Sequence, residues 1–246
     1  MGIHTVLAPE FRDSGYILDL RNLMNDMAKD QDICLIYGFP NKNARPVVEK
    51  VEKYQRVSLF NAYELESAKV PVFQNPQIEI KKVEDFDYFH IFQLSELLES
   101  SPHTKVALEK TVNYYLTRYV YHPHKLYDIY RISYGDQIGY LFGKFFGKEG
   151  RTYFHIVDYI FGKDGINKDI LDSILSCFKE RCDMFSFWKG YMNFESLLQE
   201  AGFEQTGFDT CLDVKFLDQE KLSSCQKETI LDFKNWSLVM GDSDAF

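Results

Sequence analysis

The sequence predicts an α/β protein in which mixed, largely antiparallel sheets carry helices on both faces. Short apolar runs bounded by Gly and Pro alternate with segments whose apolar residues recur at helical spacing. The order strand–helix–strand–helix–strand occurs twice, at 3–65 and at 153–216. This is a repeat of architecture rather than of sequence, and it predicts a tandem pair of related folds.

The first repeat begins with an apolar run at 3–8, which predicts a buried strand that ends at Pro9. Apolar residues at helical spacing predict a helix at 15–29. The remaining predicted elements are a strand at 32–38, a helix at 43–54 and a strand at 57–65.

A second series of elements starts after 66–77, where prolines interrupt any regular pattern. Its predicted strands lie at 78–83, 127–134, 137–146, 153–161, 184–188 and 210–216, and its predicted helices at 86–98, 106–119, 167–181 and 194–201. We therefore expect a partial domain at 1–70, a second domain at 77–217 and a tail at 218–246 that packs back.

The composition excludes some function classes. The 246 residues include 28 Lys and Arg against 37 Asp and Glu, which argues against sequence-independent nucleic-acid binding. Five cysteines without a CxxC pair argue against a disulfide framework or a zinc site and predict reduced thiols in a cytosolic protein. No apolar run approaches ~18 residues, so we expect a cytoplasmic protein without a membrane span.

A polar turn at 9–17, PEFRDSGYI, joins the first predicted strand to the first predicted helix. The first N–H groups of a helix have no intrahelical partners and lie at the positive end of its dipole, so they can bind a phosphate. Gly15 has no Cβ, which lets a ligand approach the backbone. The pattern also fits an ordinary strand–helix turn capped by Ser14.

The segment VLAPEFRDSG at 6–15 resembles the acyl-CoA-binding motif of the GNAT superfamily of acyl-CoA-dependent N-acetyltransferases, (Q/R)-x-x-G-x-(G/A), which follows a strand and an aromatic residue. Other segments resemble two-domain bacterial members of this superfamily: GFPN at 38–41, YLTRY at 115–119 with HP at 122–123, and the ending W…GDSDAF at 236–246. The resemblance covers most of the chain.

The resemblance implies a GNAT-type fold with acetyl-CoA, or another acyl-CoA, as co-substrate and no metal. It implies that the pantetheine arm pairs with strand backbone beside a bulge, and that the following turn holds the pyrophosphate. The implied cofactor-binding residues are Val6, Leu7, Ala8, Arg12, Asp13, Ser14, Gly15, Tyr16, Ile17 and Asn41.

The chain departs from the family pattern in several ways. The motif ends in Ile17 rather than Gly or Ala, and Val48 stands where the family often has a Tyr that acts as general acid. The turn at 161–167 in the second copy lacks Arg-x-x-Gly-x-Gly. The chain starts at the strand that the resemblance makes the fourth of the fold, so we expect an N-terminally truncated first copy.

Two residues are candidates for a catalytic base. His4 lies on the first predicted strand and fits either a base or a core residue. Asp158 interrupts an apolar strand and fits either a cleft or the exposed face of an alternating strand. His122 and His124 fit a turn better than a metal pair. The tyrosine-rich run at 114–127 fits either a sugar pocket or core packing.

These features predict transfer of an acetyl group from acetyl-CoA to a small-molecule amine. An aminosugar of surface-polysaccharide biosynthesis is the acceptor that the resemblance suggests. The alternative is a degenerate, non-catalytic GNAT protein that acts as a binding or interaction module. An unfilled sheet edge at 3–8 would recruit another strand, as in a homodimer.

Overall fold

The computed structural model describes residue 10 and residues 15–100, 106–124, 127–162, 165–188 and 194–243, with only the backbone at 207–209. The chain divides into two compact units, and strands β2 and β8, defined below, contribute residues to both. Unit 1 consists of Met1–Asn61 and Phe208–Asn235, and unit 2 of Ala62–Gly207 and Trp236–Phe246. The domain boundaries expected from the sequence stay a prediction.

Unit 1 contains helices, β1 and parts of two longer strands. Strand β1 pairs with β8 in antiparallel register from Leu35↔Phe216 to Gly38↔Asp213. Apolar side chains of α1 are 41–57% exposed, namely Tyr16, Leu20, Leu23, Met24 and Met27. The elements are α1 (Tyr16–Asp30), β1 (Leu35–Gly38), α2 (Arg45–Lys50), the first part of β2 (Gln55–Glu66), the second part of β8 (Glu204–Phe216) and α7 (Ser224–Leu231).

Unit 2 contains strands in the order β2-β7-β6-β5-β4-β3. Its strand pairs are antiparallel except β6 with β7, which run parallel. The mixed, mostly antiparallel sheet expected from the sequence is thus confirmed. The further elements are β3 (Ile78–Lys82), α3 (Tyr88–Ser100), α4 (Val112–Tyr115), β4 (Asp128–Tyr134), β5 (Gln137–Lys148), β6 (Arg151–Phe161), α5 (Lys168–Phe178), β7 (Met184–Phe187) and α6 (Phe194–Glu200).

The predicted elements within the described residues have counterparts, with one large difference. The helix predicted at 106–119 begins only at Val112, as α4, and continues as a π turn over Leu116–Val120. The Thr111 side chain caps its start by accepting a hydrogen bond from the Tyr114 N–H. Val106 and Lys110, which precede this cap, make long-range contacts and do not form helical turns.

One of these contacts involves the C-terminal segment, residues 236–243. Trp236 forms a parallel bridge with Val106, and the Tyr114 hydroxyl donates to the Gly241 carbonyl at 2.9 Å. A Cβ at Gly241 would lie 1.9 Å from the Tyr119 hydroxyl oxygen, so only glycine fits this approach. The buried side chains of this segment are those of Trp236, Ser237, Leu238, Val239, Met240, Asp242 and Ser243. It is therefore part of the core of unit 2.

A buried ion network joins this segment to β6. The Lys110 ammonium lies 2.9 Å from Asp158 Oδ2 and 2.9 Å from Asp242 Oδ1, and all three side chains are at most 8% exposed. The Tyr119 hydroxyl donates to Asp158 Oδ2 at 2.9 Å. Burial raises the pKa of Asp158, while the Lys110 charge acts in the opposite direction. One ammonium thus contacts two buried carboxylates, and its loss would remove a cation that both of them share.

We predict that Lys110→Met lowers the free energy of unfolding by about 3–5 kcal/mol, because it removes the cation that contacts two buried carboxylates. The matched control is Lys81→Met, since Lys81 pairs with Glu79 at 2.7 Å on an exposed surface. The control should cost less than about 1 kcal/mol. Urea denaturation of the two variants measures both values. Equal, small losses would contradict a stabilising role for the network.

Candidate functional site

The start of α1 is the described part of the predicted acyl-CoA turn. Gly15 occupies the N-cap with φ 80° and ψ −8°, a left-handed conformation that suits glycine. No side chain of the described residues caps this helix. A Cβ at Gly15 would meet no atom of the described residues within 4 Å, so the space beside it is open toward them. The first backbone N–H groups of α1 thus lie at an end that an anion could approach.

The structure brings three predicted cofactor-binding residues to this helix start, namely Gly15, Tyr16 and Ile17. The predicted residues His4, Val6, Leu7, Ala8, Arg12, Asp13 and Ser14 lie outside the described residues. Their roles stay predictions.

Asn41 organises the turn that leads into α2. Its side-chain oxygen accepts hydrogen bonds from the backbone N–H groups of Asn43 at 3.0 Å and Ala44 at 2.9 Å. This oxygen is therefore engaged in a local turn. Val48, at the position where the resemblance suggests a Tyr, is a buried residue of α2.

The second repeat offers a direct comparison, because β6, α5 and β7 follow one another as expected. Asn167 is the N-cap of α5, and its side-chain oxygen accepts from the Ile170 N–H at 3.0 Å. This helix start already has a side-chain partner. The two corresponding helices thus differ in capping: α1 begins at a left-handed glycine and α5 at a capping asparagine.

Strands β6 and β7 pair over only a short stretch, Tyr153–His155 against Met184–Ser186. Strand β6 continues to Phe161, and its register with β5 shifts next to Phe142 and Gly143, which marks a bulge. The bulge that the resemblance implies belongs to the first predicted strand, which lies outside the described residues, so that expectation stays a prediction.

Asp158 lies on β6 beyond the stretch that pairs with β7. Its side chain is 0% exposed, so the exposed-face interpretation of the sequence is wrong. Its Oδ1 accepts from the neighbouring Tyr159 N–H at 2.8 Å, and its Oδ2 contacts Lys110 and Tyr119. Both oxygens are engaged within unit 2, in contacts that stabilise the fold.

The tyrosine-rich run is largely packed into unit 2. Tyr115 and Tyr119 are 1% and 2% exposed, and the Tyr119 ring stacks on Phe142 with centroids 4.5 Å apart.

The His124 N–H donates to His122 Nδ1 at 3.3 Å, as expected for a turn. Within the described residues, no helix is long and apolar enough to cross a membrane.

A polar cluster in unit 1 was missed by the sequence reasoning. Ligand-type atoms of Glu49 on α2 and of Cys211 and Asp213 on β8 all lie within 4.8 Å of one another. The Cys211 thiol donates to Asp213 Oδ1 at 3.0 Å. Burial, followed by this hydrogen bond, raises the pKa of the thiol to about 11. The only sequence signal is the spacing of Cys211 and Asp213, which places both side chains on one face of a strand.

No protein-family model and no curated protein matches the chain. Solved structures do match, at low identity. A probable N-acyltransferase of Enterococcus faecalis V583 matches with a TM-score of 0.61 at 14% identity over 87% of this chain and 53% of its own. A GCN5-related N-acetyltransferase of Kribbella flavida has a TM-score of 0.61 at 11% identity over 88% and 52%.

A GCN5-related N-acetyltransferase of Anabaena variabilis has a TM-score of 0.58 at 13% identity over 86% of this chain and 53% of its own. This chain thus spans about half the length of these proteins. Identities this low establish the fold alone. With the parted β6 and β7 strands and the helix α5 that connects them, they show that the chain has the fold of the GCN5-related N-acetyltransferase (GNAT) superfamily.

Proposed function

We propose that the chain transfers an acyl group from acyl-CoA, with acetyl-CoA as the simplest donor, to the amine of a small-molecule acceptor. The observation that carries this proposal is the start of α1, a left-handed glycine that has open space beside it and no side-chain cap among the residues that the structure describes. This helix start belongs to the segment that resembles the acyl-CoA motif.

The start of α1 suits a pyrophosphate for electrostatic and steric reasons. The backbone N–H groups in the first turn of a helix face its N-terminal end, and the helix dipole adds partial positive charge there. Gly15 allows the phosphate oxygens to approach the backbone closely. The net charge of −9 does not oppose this mode of binding, because the donors are backbone groups.

The second repeat supports one acyl-CoA per chain. At the start of α5, the Ile170 N–H already donates a hydrogen bond to the Asn167 side chain. On β6, the Tyr159 N–H donates a hydrogen bond to the Asp158 side chain. A pantetheine arm that paired with this strand would compete for that N–H group. A second acyl-CoA would have to displace both interactions. We therefore assign the donor site to the first copy.

The proposed reaction forms a bond between the acceptor nitrogen and the acyl carbon, and breaks the bond between that carbon and the CoA sulfur. The acceptor ammonium loses a proton before attack, and a carboxylate or a His is suited to accept it, directly or through water. His4 remains the candidate outside the described residues. Val48 cannot donate a proton to the leaving thiolate, so we propose that solvent does so.

For the acceptor we propose a primary amine on a small molecule. The turn GFPN at 38–41 resembles that of GNAT proteins linked to aminosugars, and this resemblance is the ground for proposing an aminosugar.

The second candidate function is acyl-CoA or partner binding without turnover. The observation that favours it is Val48, a buried aliphatic side chain at the position of the expected general acid. Turnover separates the two candidates. An enzyme releases free CoA thiol from acetyl-CoA when an amine is added, whereas a binding module leaves the acetyl-CoA intact.

We predict that Gly15→Asn weakens acetyl-CoA binding at least about tenfold, or about 1.4 kcal/mol, because its Cβ blocks the backbone. Asn is chosen because it tolerates the left-handed conformation, whereas Val at φ 80° would itself strain the helix start. The matched control is Gly150→Asn, since Gly150 has φ 78° and also has open space around its Cβ position. Calorimetry on both variants measures the affinities. Equal binding by both would show that the start of α1 is not the site.

A further prediction concerns the stoichiometry of acetyl-CoA binding. Calorimetric titration with acetyl-CoA should give one site per chain, because α5 is capped and β6 is internally bonded. Asn167→Ala should leave both stoichiometry and affinity unchanged. Two acetyl-CoA sites per chain, or a loss of acetyl-CoA affinity in the Asn167→Ala variant, would place acyl-CoA on the second copy instead.

A further inference from the structure

A second potential site lies in unit 1 and is independent of the proposed acyl transfer. Helix α2 supplies Glu49, and β8 supplies Cys211 and Asp213, with ligand-type atoms within 4.8 Å of one another. Cys211 is 1% and Asp213 0% exposed, while Glu49 is about one-third exposed. One sulfur and two carboxylates thus converge from two elements.

The Asp213 carboxylate has an unsatisfied oxygen. Its Oδ1 accepts from the Cys211 thiol at 3.0 Å and lies 3.9 Å from Arg56 Nε. Its Oδ2 is buried and has no hydrogen-bond partner among the described residues. A buried carboxylate oxygen without a partner is costly, by about 1–3 kcal/mol or more. The cluster therefore has a vacant acceptor in a shielded position.

Two arginines limit what this acceptor can bind. Arg56 contacts Glu49 and approaches Asp213, and Arg45 is close enough to act electrostatically on Cys211. A ligand must therefore be a small, strongly attracted cation, because a bulky one would have to displace Arg56. A divalent metal ion meets this requirement.

We propose that Glu49, Cys211 and Asp213 form a binding site for a zinc-type divalent ion. Thiolate sulfur and carboxylate oxygen are common zinc ligands, whereas magnesium and calcium are bound by oxygen alone. On binding, the thiol proton is released to solvent and the sulfur bonds to the metal. Three protein ligands leave the fourth tetrahedral position for water. The ion would fasten α2 to β8.

The test uses the full, reduced, metal-free chain and Co²⁺, a spectroscopic substitute for Zn²⁺. We expect a near-ultraviolet sulfur-to-cobalt charge-transfer band that saturates at one Co²⁺ per chain and disappears when Zn²⁺ is added. A rise in melting temperature with Zn²⁺ should accompany it. No band at saturating Co²⁺ overturns the proposal.

Variants identify the ligands. Cys211→Ser should lose the band, whereas the control Cys225→Ser, at an exposed cysteine of α7, should keep it. Glu49→Gln, at a partly exposed side chain that should leave folding intact, should weaken Co²⁺ binding about tenfold or more. Arg56→Gln should strengthen it, because a competing cation is removed.

These outcomes remain decisive if Cys211→Ser does not fold. In that case the Glu49→Gln and Arg56→Gln titrations decide. If neither changes the Co²⁺ affinity, the cluster is an ion-pair network and not a metal site. A band that persists in folded Cys211→Ser leads to the same conclusion.

Discussion

The position of Lys110 between two buried carboxylates is the constraint on which unit 2 depends. A fully buried Asp158 requires a cation or a proton donor in contact, and the structure supplies Lys110 and Tyr119. The chain around Lys110 is consequently not helical, and α4 starts only at Val112. The same ammonium pairs with Asp242, so the C-terminal segment must lie alongside, close enough that position 241 admits only glycine.

The two repeats share an order of elements and use it differently. In unit 2, the polar groups of β6 and of the start of α5 are bonded within the chain, by Asp158 and Asn167. In unit 1, the corresponding helix start is a left-handed Gly15, which no side chain of the described part of the chain caps. Backbone groups that are bonded to side chains of the same fold stabilise it, whereas the start of a helix can bind an anion. On this contrast rests our proposal that the acyl-CoA site lies in the first copy.

Local patterns in the sequence predicted much of this fold. Helix α5 and the β5–β6 hairpin lie within a few residues of their expected bounds, because amphipathic spacing and glycine turns encode them locally. The late start of α4 could not be predicted, since it depends on pairing with Asp158 and Asp242, which are distant in sequence. The Glu49, Cys211 and Asp213 cluster was missed for the same reason: counting cysteines by spacing finds local metal motifs and not ligands joined by tertiary structure.

The C-terminal segment also affects how the protein is made. Val239 belongs to the same hydrophobic cluster as Tyr159, Phe187 and Phe194, and Asp242 completes the charge pairing of Lys110. A ribosome delivers these residues only after all the strands of unit 2 have been synthesised. Until then, the apolar surface that Val239 covers stays open to solvent and to other nascent chains, which favours aggregation. The core of unit 2 is therefore completed only after residues 236–243 have left the ribosome.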